Sequence, residues 1–347
     1  MIAYWIAFLI PVTAVLSPFR ATSHFRRTIW IAIGLYFTVF VGLRHEVGAD
    51  WLNYLAQFSD MAEGNLQWSE PGYASLNWAM AKAGLDIHAV NLVCGAIFVA
   101  GLLYFCRQEK FPWLAVAVAV PYLVIVVAMG YTKQAVSLGL LLWGLVRLQR
   151  GELKTFTAAM LLATMFHATA LICLLFAALS ARRMSLRLPL VAITLLVSVA
   201  LGFLAQRLEA LYSRFAVASD LQSAGAAVRL AMSVLAFAAL LVFRKRWRKE
   251  YGPIELWAWM GALSVVCLAL VPFASTAVDR VGLYFSPLQL VVWARVPTLV
   301  RGIVPRTLVV LAILCGYAAV LAVWLNLGNN AQTWIPYQNV LLDWVFN

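Results

Sequence analysis

The sequence predicts an all-α, polytopic membrane protein, and three observations carry that prediction. Of 347 residues, 64% are hydrophobic and only 12% charged, against roughly half and about a quarter in a soluble domain. Mean hydropathy is +0.88, and apolar runs recur along the whole chain rather than at one anchor. The ten-residue alternation of a membrane barrel is missing, so backbone groups in hydrocarbon must be satisfied within helices. An ordinary soluble enzyme is excluded. At about 20 residues per crossing, residues 1–347 form a single transmembrane domain of about 10 full spans.

The first apolar run, 2–17, has no positive region before it, so it reads as a retained span and not as a cleaved signal peptide. Runs of crossing length follow near 28–43, 89–106, 113–129, 131–148, 188–205, 227–243, 254–273, 282–296 and 308–327. Two segments break the pattern. Pro71 to Ala83 is roughly 20 Å long as a helix, too short for a hydrocarbon core of about 30 Å, and is expected to be a short interfacial or re-entrant helix. Thr155 to Leu179 is flanked by Arg147, Arg150 and Lys154 on one side and by Arg182, Arg183 and Arg187 on the other. A single crossing would put one basic cluster outside. A half-helix hairpin turning at Phe166-His167 keeps both on one side, with the histidine at its tip.

With that hairpin every loop alternates consistently. Both termini are then external, the inner face carries nineteen of the 26 Lys and Arg, and seven remain outside. External loops fall near 44–88 and 206–226, with a C-terminal external segment at 328–347. The net charge of +12 is therefore mostly a topology signal and not a call for nucleic acid. Even the run Arg244 to Lys249 follows directly on an apolar span, as a cytoplasmic stop does. The bilayer is the partner this composition demands.

The sequence contains no phosphate-binding glycine loop, dinucleotide fingerprint, zinc-protease helix or serine nucleophile elbow. Cys94, Cys106, Cys173, Cys267 and Cys315 lie in or at the ends of apolar runs without metal-ligand spacing and read as packing residues. Neither a metal nor another cofactor is expected.

The informative residues are the few polar ones outside. Arg44, Lys133 and Arg280 each stand where a span meets the outer surface. A cation held there against the positive-inside rule is explained by an anionic ligand of phosphate type in the outer leaflet, or by local pairing, Arg44 with Glu46 or Asp50 and Arg280 with Asp279. His167 at a hairpin tip can accept a proton from a substrate hydroxyl near neutral pH, or serve as a hydrogen-bonded core residue. Asp50, Glu46, Glu70 and Asp279 are carboxylates of external loops.

The stretch Arg44 to Tyr54, with Gly48, Asp50, Trp51 and Tyr54 in an R-x-x-x-G-x-D-aromatic-x-x-Y pattern, is followed by Glu70-Pro71-Gly72-Tyr73 and Leu76-Asn77. Together these residues resemble the N-terminal signature of the EpsG family of exopolysaccharide polymerases. Lys133-Gln134, Phe166-His167, Arg280 with Tyr284-Phe285, and Trp334-Ile335-Pro336-Tyr337 continue the resemblance in order along nearly the whole chain. Lys133 stands where the family usually has arginine, and lysine binds phosphate as a point charge.

The resemblance implies a GT-C-like architecture and a Wzy-like glycosyltransferase. Such an enzyme transfers a polyprenyl-pyrophosphate-linked glycan chain onto a sugar hydroxyl of another lipid-linked repeat unit at the external face. It implies polyprenyl-pyrophosphate-linked oligosaccharides as substrates, with a chain-length regulator and a flippase of the same pathway as partners. On that reading Arg44, Lys133 and Arg280 bind the donor pyrophosphate. Asp50 or His167 is the base. Trp51, Tyr54, Glu70, Tyr73, Gln134, Asp279, Tyr284, Trp334 and Tyr337 contact the glycan. The same external cations would also line a path in a transporter or flippase of lipid-linked oligosaccharide, and an acyltransferase modifying glycans is a weaker third reading.

Overall fold

The computed structural model describes residues 1–17, 22–65, 70–180 and 225–341. Among them every regular element is helical. The expected span at 188–205, the external loop at 206–226 except its last two residues, and the chain beyond 341 lie outside the described residues.

Chain order is α1 (Ile2–Leu16), α2 (Ser23–Gly42), α3 (Trp51–Ala62), α4 (Pro71–Lys82) and α5 (Ile87–Cys106). Next come α6 (Pro112–Gly130), α7 (Thr132–Gln149), α8 (Leu153–Phe166), a 3-10 turn at Ala168–Cys173 and α9 (Leu174–Ser180). After the undescribed segment follow α10 (Ala226–Tyr251), α11 (Glu255–Gly282), a 3-10 turn at Leu283–Phe285, α12 (Pro287–Leu299) and α13 (Ile303–Leu327).

By length and apolarity, α2, α5, α6, α10, α11 and α13 are able to cross a membrane. The described residues thus supply six such helices and not the full set of ten. Helices α1 and α8, and the segment Ala168–Leu179, are apolar but shorter than a full crossing requires.

Local sequence explains the boundaries. The Asp86 side chain accepts the His88 and Ala89 amides and starts α5. Proline stands at the first turn of α4, α6 and α12, where its missing N–H is not needed. Within α6, Pro121 has no amide to give the preceding turn, and Val120–Val127 winds as a π-helix instead.

Helix α11 is interrupted at Ala274, just after Pro272. Gly261 lies against Phe237 while Asp279 reaches Arg229, and farther on Gln289 meets Ser233 and Leu299 meets Arg246. A straight helix antiparallel to α10 would carry Asp279 well past the start of α10. The chain therefore turns at Ala274 and descends beside α10 through α12. The sequence reading placed a span end at 273 for the same region.

The central contact is between α5 and α7. A Cβ on Gly101 would lie 2.0 Å from the Gly139 carbonyl oxygen, so the two backbones touch, as small residues permit in helices that pack in lipid. This pair fixes α7, whose first residues carry Thr132, Lys133 and Gln134.

The basic segments between spans meet at one end of the bundle. Arg295 binds Glu109, Arg150 binds Gln108, Arg147 binds Glu152, Arg248 binds Glu255, and Arg246 and Arg306 donate to carbonyls of Leu299 and Pro297. Residues 44–54, 70–82, 132–134, 167 and 279–280 lie at the opposite end. The short helix expected at 71–83 is α4, Pro71–Lys82. Helix α3 is an addition, since the sequence reading left 44–70 as loop.

The candidate functional site

Loop 43–50 leaves α2 and is strapped down by the C-terminal segment. Arg44 forms a β-bridge with Asn339, the His45 amide donates to Gln338 O, and the Val340 amide donates to Leu43 O. Helices α3 and α4 then fold over the start of α7 on a layer of their own, in which Trp51, Tyr54, Tyr73, Ile87, Val90, Val136 and Phe166 are buried together. Gly72 brings α4 to the end of α8: a Cβ there would meet the Met165 carbonyl at 3.0 Å. That close approach carries Glu70, the residue before α4, to His167.

Glu70 is the hub. Its Oε1 is 2.9 Å from His167 Nδ1 and its Oε2 is 2.6 Å from Lys133 Nζ. Burial alone would raise the Glu70 carboxyl, but the His167 hydrogen bond and the Lys133 charge outweigh it and hold it below the usual carboxylate range. Lys133 also lies over the rings of Tyr73 and Tyr54, at 4.9 and 5.8 Å from their centroids. The tip of the 155–179 segment falls where the sequence reading put it. Helix α8 ends at Phe166, and His167 takes extended backbone before the 3-10 turn begins.

His167 Nε2 is enclosed and has no hydrogen-bond partner among the described residues. The tautomer that donates Nδ1–H to Glu70 leaves Nε2 as the proton acceptor, the arrangement in which a carboxylate orients an imidazole base.

Asp50 sits at the start of α3, half-buried. Burial pushes its carboxyl up, against the opposing pull of Arg280, an Asn53 hydrogen bond and Lys133. Asp50 is thus within electrostatic reach of both cations, which joins α3, α7 and the descending limb of α11 in one site. Arg280 is exposed, and its carbonyl accepts from Gln134 Nε2 at 2.6 Å. Asp279 binds Arg229, through hydrogen bonds of 2.7 and 2.5 Å.

Several expected contacts are placed differently. Arg44 is 0% exposed. Its guanidinium donates to Val47 O, Val41 O and Thr132 Oγ1, so it ties loop 43–50 to α7 and is not presented to a ligand. It does not pair with Glu46 or Asp50 through a bond of this kind. Trp334 is buried against Trp324 with its indole N–H donating to Ile125 O, and the Tyr337 hydroxyl donates to Phe40 O. Tyr284 is buried, with Thr169 donating to its hydroxyl. Trp51 packs edge-on against His45 under the Arg44 guanidinium. These four aromatics hold the site's walls and are not exposed for stacking on sugar. For Trp334, Tyr337 and Trp51 the physical reason is the strap: the C-terminal segment and loop 43–50 cover each other, and these aromatics pack beside the seam; Tyr284 is buried separately in the turn after α11.

Between α3 and α4 lies a small cleft with room for about one water, walled by Gln57, Glu70, Tyr73, Asn77 and Lys133 among others. Gln57 and Asn77 were not singled out from the sequence. Asn77 lies in a motif the sequence analysis quoted, but nothing in charge or spacing marks an amide on an amphipathic helix. Among the described residues, no three His, Cys, Asp or Glu side chains are grouped to hold a metal ion.

The EpsG family profile matches residues 27–339, a range that includes every residue of this site. No curated protein and no solved structure matches the chain.

Proposed function

The chain belongs to the EpsG family, and from that premise we propose that it is a membrane polysaccharide polymerase with its active site around Glu70, His167, Lys133 and Arg280. Membership supports an exopolysaccharide polymerase-type role in a multi-pass membrane protein. The finer reading is glycosyl transfer between polyprenyl-pyrophosphate-linked repeat units on the outer face of the inner membrane. The clustering of basic loops at the opposite end supports that orientation, through the positive-inside rule.

The single observation that carries the reaction is the Glu70–His167 pair, with Lys133 on the same carboxylate. In the proposed step an acceptor sugar hydroxyl attacks the anomeric carbon of the donor glycan. The bond from that carbon to the pyrophosphate oxygen breaks, and the lipid pyrophosphate leaves with the electron pair. The hydroxyl proton passes to His167 Nε2, while Glu70 holds the ring and stabilises the imidazolium. Arg280, exposed beside Asp50, meets the pyrophosphate, and Lys133 adds a second positive charge as the leaving group gains negative charge. Arg44 acts one layer back by fixing Thr132 and thus the start of α7. Asp50 remains the alternative base: it is half-exposed and its carboxyl is pushed up by burial.

Enclosure of Nε2 keeps water from the imidazole until an acceptor enters beside Glu70. Water is the competing nucleophile, so a shielded base favours chain growth over hydrolysis.

The test uses purified protein in detergent with lipid-linked repeat units. Wild type is expected to lengthen them, and Arg280→Ala to raise the donor KM and reduce turnover at least about 100-fold, as for loss of a charge stabiliser. Movement of substrate across vesicles without lengthening would overturn the polymerase reading in favour of a transporter. Full turnover by Arg280→Ala would remove Arg280 from the site.

A further inference from the structure

Helix α7 opens with polar residues in an otherwise apolar run, and each of them holds a different segment. Thr132 receives the Arg44 guanidinium of loop 43–50 at 2.8 Å, and Lys133 binds Glu70, just ahead of α4, at 2.6 Å. Two more contacts of this kind have no part in the step above. The Gln134 Nε2 donates to the Arg280 carbonyl at 2.6 Å, and the Ser137 Oγ donates to the Ala163 carbonyl at 2.8 Å. Both residues are buried, at 6% and 0% exposed, so neither is presented to a substrate.

Each bond lands where a continuous helix does not hold the backbone. Arg280 lies on the limb of α11 that follows the break at Ala274, so it does not inherit its place from the long first part of that helix. Gln134 ties this limb to the turn of α7 that carries Lys133. His167 stands in extended backbone just past the end of α8, and its amide donates to the same Ala163 carbonyl that Ser137 reaches. That carbonyl is the junction between α7 and the histidine turn. Ser137 also has the Lys133 carbonyl within its own helix at 3.3 Å, so the shorter bond is the one that leaves α7. The platform itself is fixed, because α7 is pressed against α5 at Gly139.

We propose that Gln134 and Ser137 are positioning residues for the reaction: Gln134 holds Arg280 beside Lys133, and Ser137 holds the turn that aims His167. The assignment rests on the polymerase reading and takes it one layer deeper. It separates two functions along one helix. Gln134 serves the leaving pyrophosphate through Arg280 and does not touch the glycan, whereas Ser137 serves proton transfer. Groups that must be aligned with reacting atoms are sensitive to small displacements, and a misplacement of about 1 Å can cost about 100-fold.

The experiment uses the full-length protein in detergent with lipid-linked repeat units. Gln134→Met keeps the length of the side chain and removes its donor, and Ser137→Ala removes one hydroxyl. Gln134→Met is expected to raise the donor KM about five- to ten-fold, the range for one hydrogen bond between neutral groups. Ser137→Ala should lower kcat by a similar factor and leave the donor KM near wild type. Arg280→Ala and His167→Ala complete double-mutant cycles: Gln134→Met should add nothing to Arg280→Ala, and Ser137→Ala nothing to His167→Ala. Hydrogen exchange needs no substrate and reads the tethers directly. Ser137→Ala should speed exchange in residues 167–173 and Gln134→Met in residues 275–286, each about five-fold and each leaving the other segment unchanged. Thermal midpoints check folding, and Gln134→Ala is the second variant should Gln134→Met unfold.

Equal effects of the two variants on the donor KM, or additive effects of each with its own partner, would overturn the proposal. So would wild-type kinetics in both folded variants, or exchange that changes in neither segment. A wild-type protein that lengthens nothing, with the exchange split intact, would overturn the polymerase reading while leaving both tethers in place.

Discussion

Two glutamates, the buried Glu109 and the half-buried Glu70, stand at opposite ends of the bundle and use their carboxylates in opposite ways. Glu109, in the turn between α5 and α6, gives both oxygens to a single partner: Arg295 donates through Nε at 2.6 Å and Nη2 at 2.8 Å. The same guanidinium lies over the rings of Trp247 and Tyr251, at 5.2 and 4.9 Å from their centroids. Among the described residues the Trp247 indole nitrogen lacks a hydrogen-bond partner, but its ring is covered. Glu70 divides its oxygens between His167 and Lys133, so each partner keeps bonding capacity. His167 Nε2 is left without a hydrogen-bond partner among the described residues. One carboxylate closes a clamp. The other distributes charge through a network that leaves His167 Nε2 open, the feature on which the proposed base role rests.

That contrast is open to direct attack. The largest effect is expected at His167. His167→Ala should reduce polymer formation about 10²- to 10⁴-fold, the usual contribution of a general base, with a thermal midpoint close to wild type. Gel analysis of lipid-linked glycan should then show single repeat units accumulating. Long polymer from a folded His167→Ala variant would return the base role to Asp50, and Asp50→Asn is the companion measurement.

Glu109→Gln should do the reverse. Removing one partner of a buried ion pair leaves an uncompensated guanidinium, which costs about 3 kcal/mol or more. Detergent-solubilised protein should unfold at a clearly lower temperature, while the activity of the molecules still folded stays near wild type. A specific activity that fell with stability intact would join the two ends functionally and break the comparison.

The bundle was legible in the sequence because its signal is redundant. Apolar runs, basic loops and turn residues agree for α1, α2, α5, α6, α7 and α13, and the observed ends lie within a few residues of the expected ones. Charge balance called for a break within 155–179, and α8 does end at Phe166, while the second basic flank at 182–187 lies outside the described residues. Helix α3 was missed because it is amphipathic and short, and its residues read as polar loop until Tyr54 and Trp51 are seen packing under α4. Arg44 misled for a related reason: a cation at a span end looks the same whether it faces a ligand or three backbone and hydroxyl oxygens. The Glu70–His167–Lys133 convergence joins residues from three distant segments. The sequence held each of them, but not the Gly72 contact with Met165 that brings them within bonding distance.

The smallest predicted effect separates the two acidic residues of the site itself by the sign of their pH dependence. Glu70 is held below the usual carboxylate range, so its folded pKa lies under its unfolded value of about 4.3. It therefore contributes stability that is complete above that value and is lost as pH falls through the folded pKa. Glu70→Gln should lower the thermal midpoint at pH 7 by the equivalent of about 1.5 kcal/mol, the lower end for a hydrogen bond to a charged group, and the gap from wild type should close below about pH 4. Asp50 behaves in the opposite sense. Its carboxyl is raised, so ionisation is favoured in the unfolded chain, and its contribution declines as pH rises from its unfolded value of about 3.9 through the folded pKa. Asp50→Asn should accordingly match or exceed wild-type stability at pH 7 and lose that advantage in acid. Melting curves of both variants between pH 3 and 8 decide the matter. Parallel curves for the two would mean that Glu70 and Asp50 sit in equivalent surroundings, and the network around His167 would lose its claim to be the poised one.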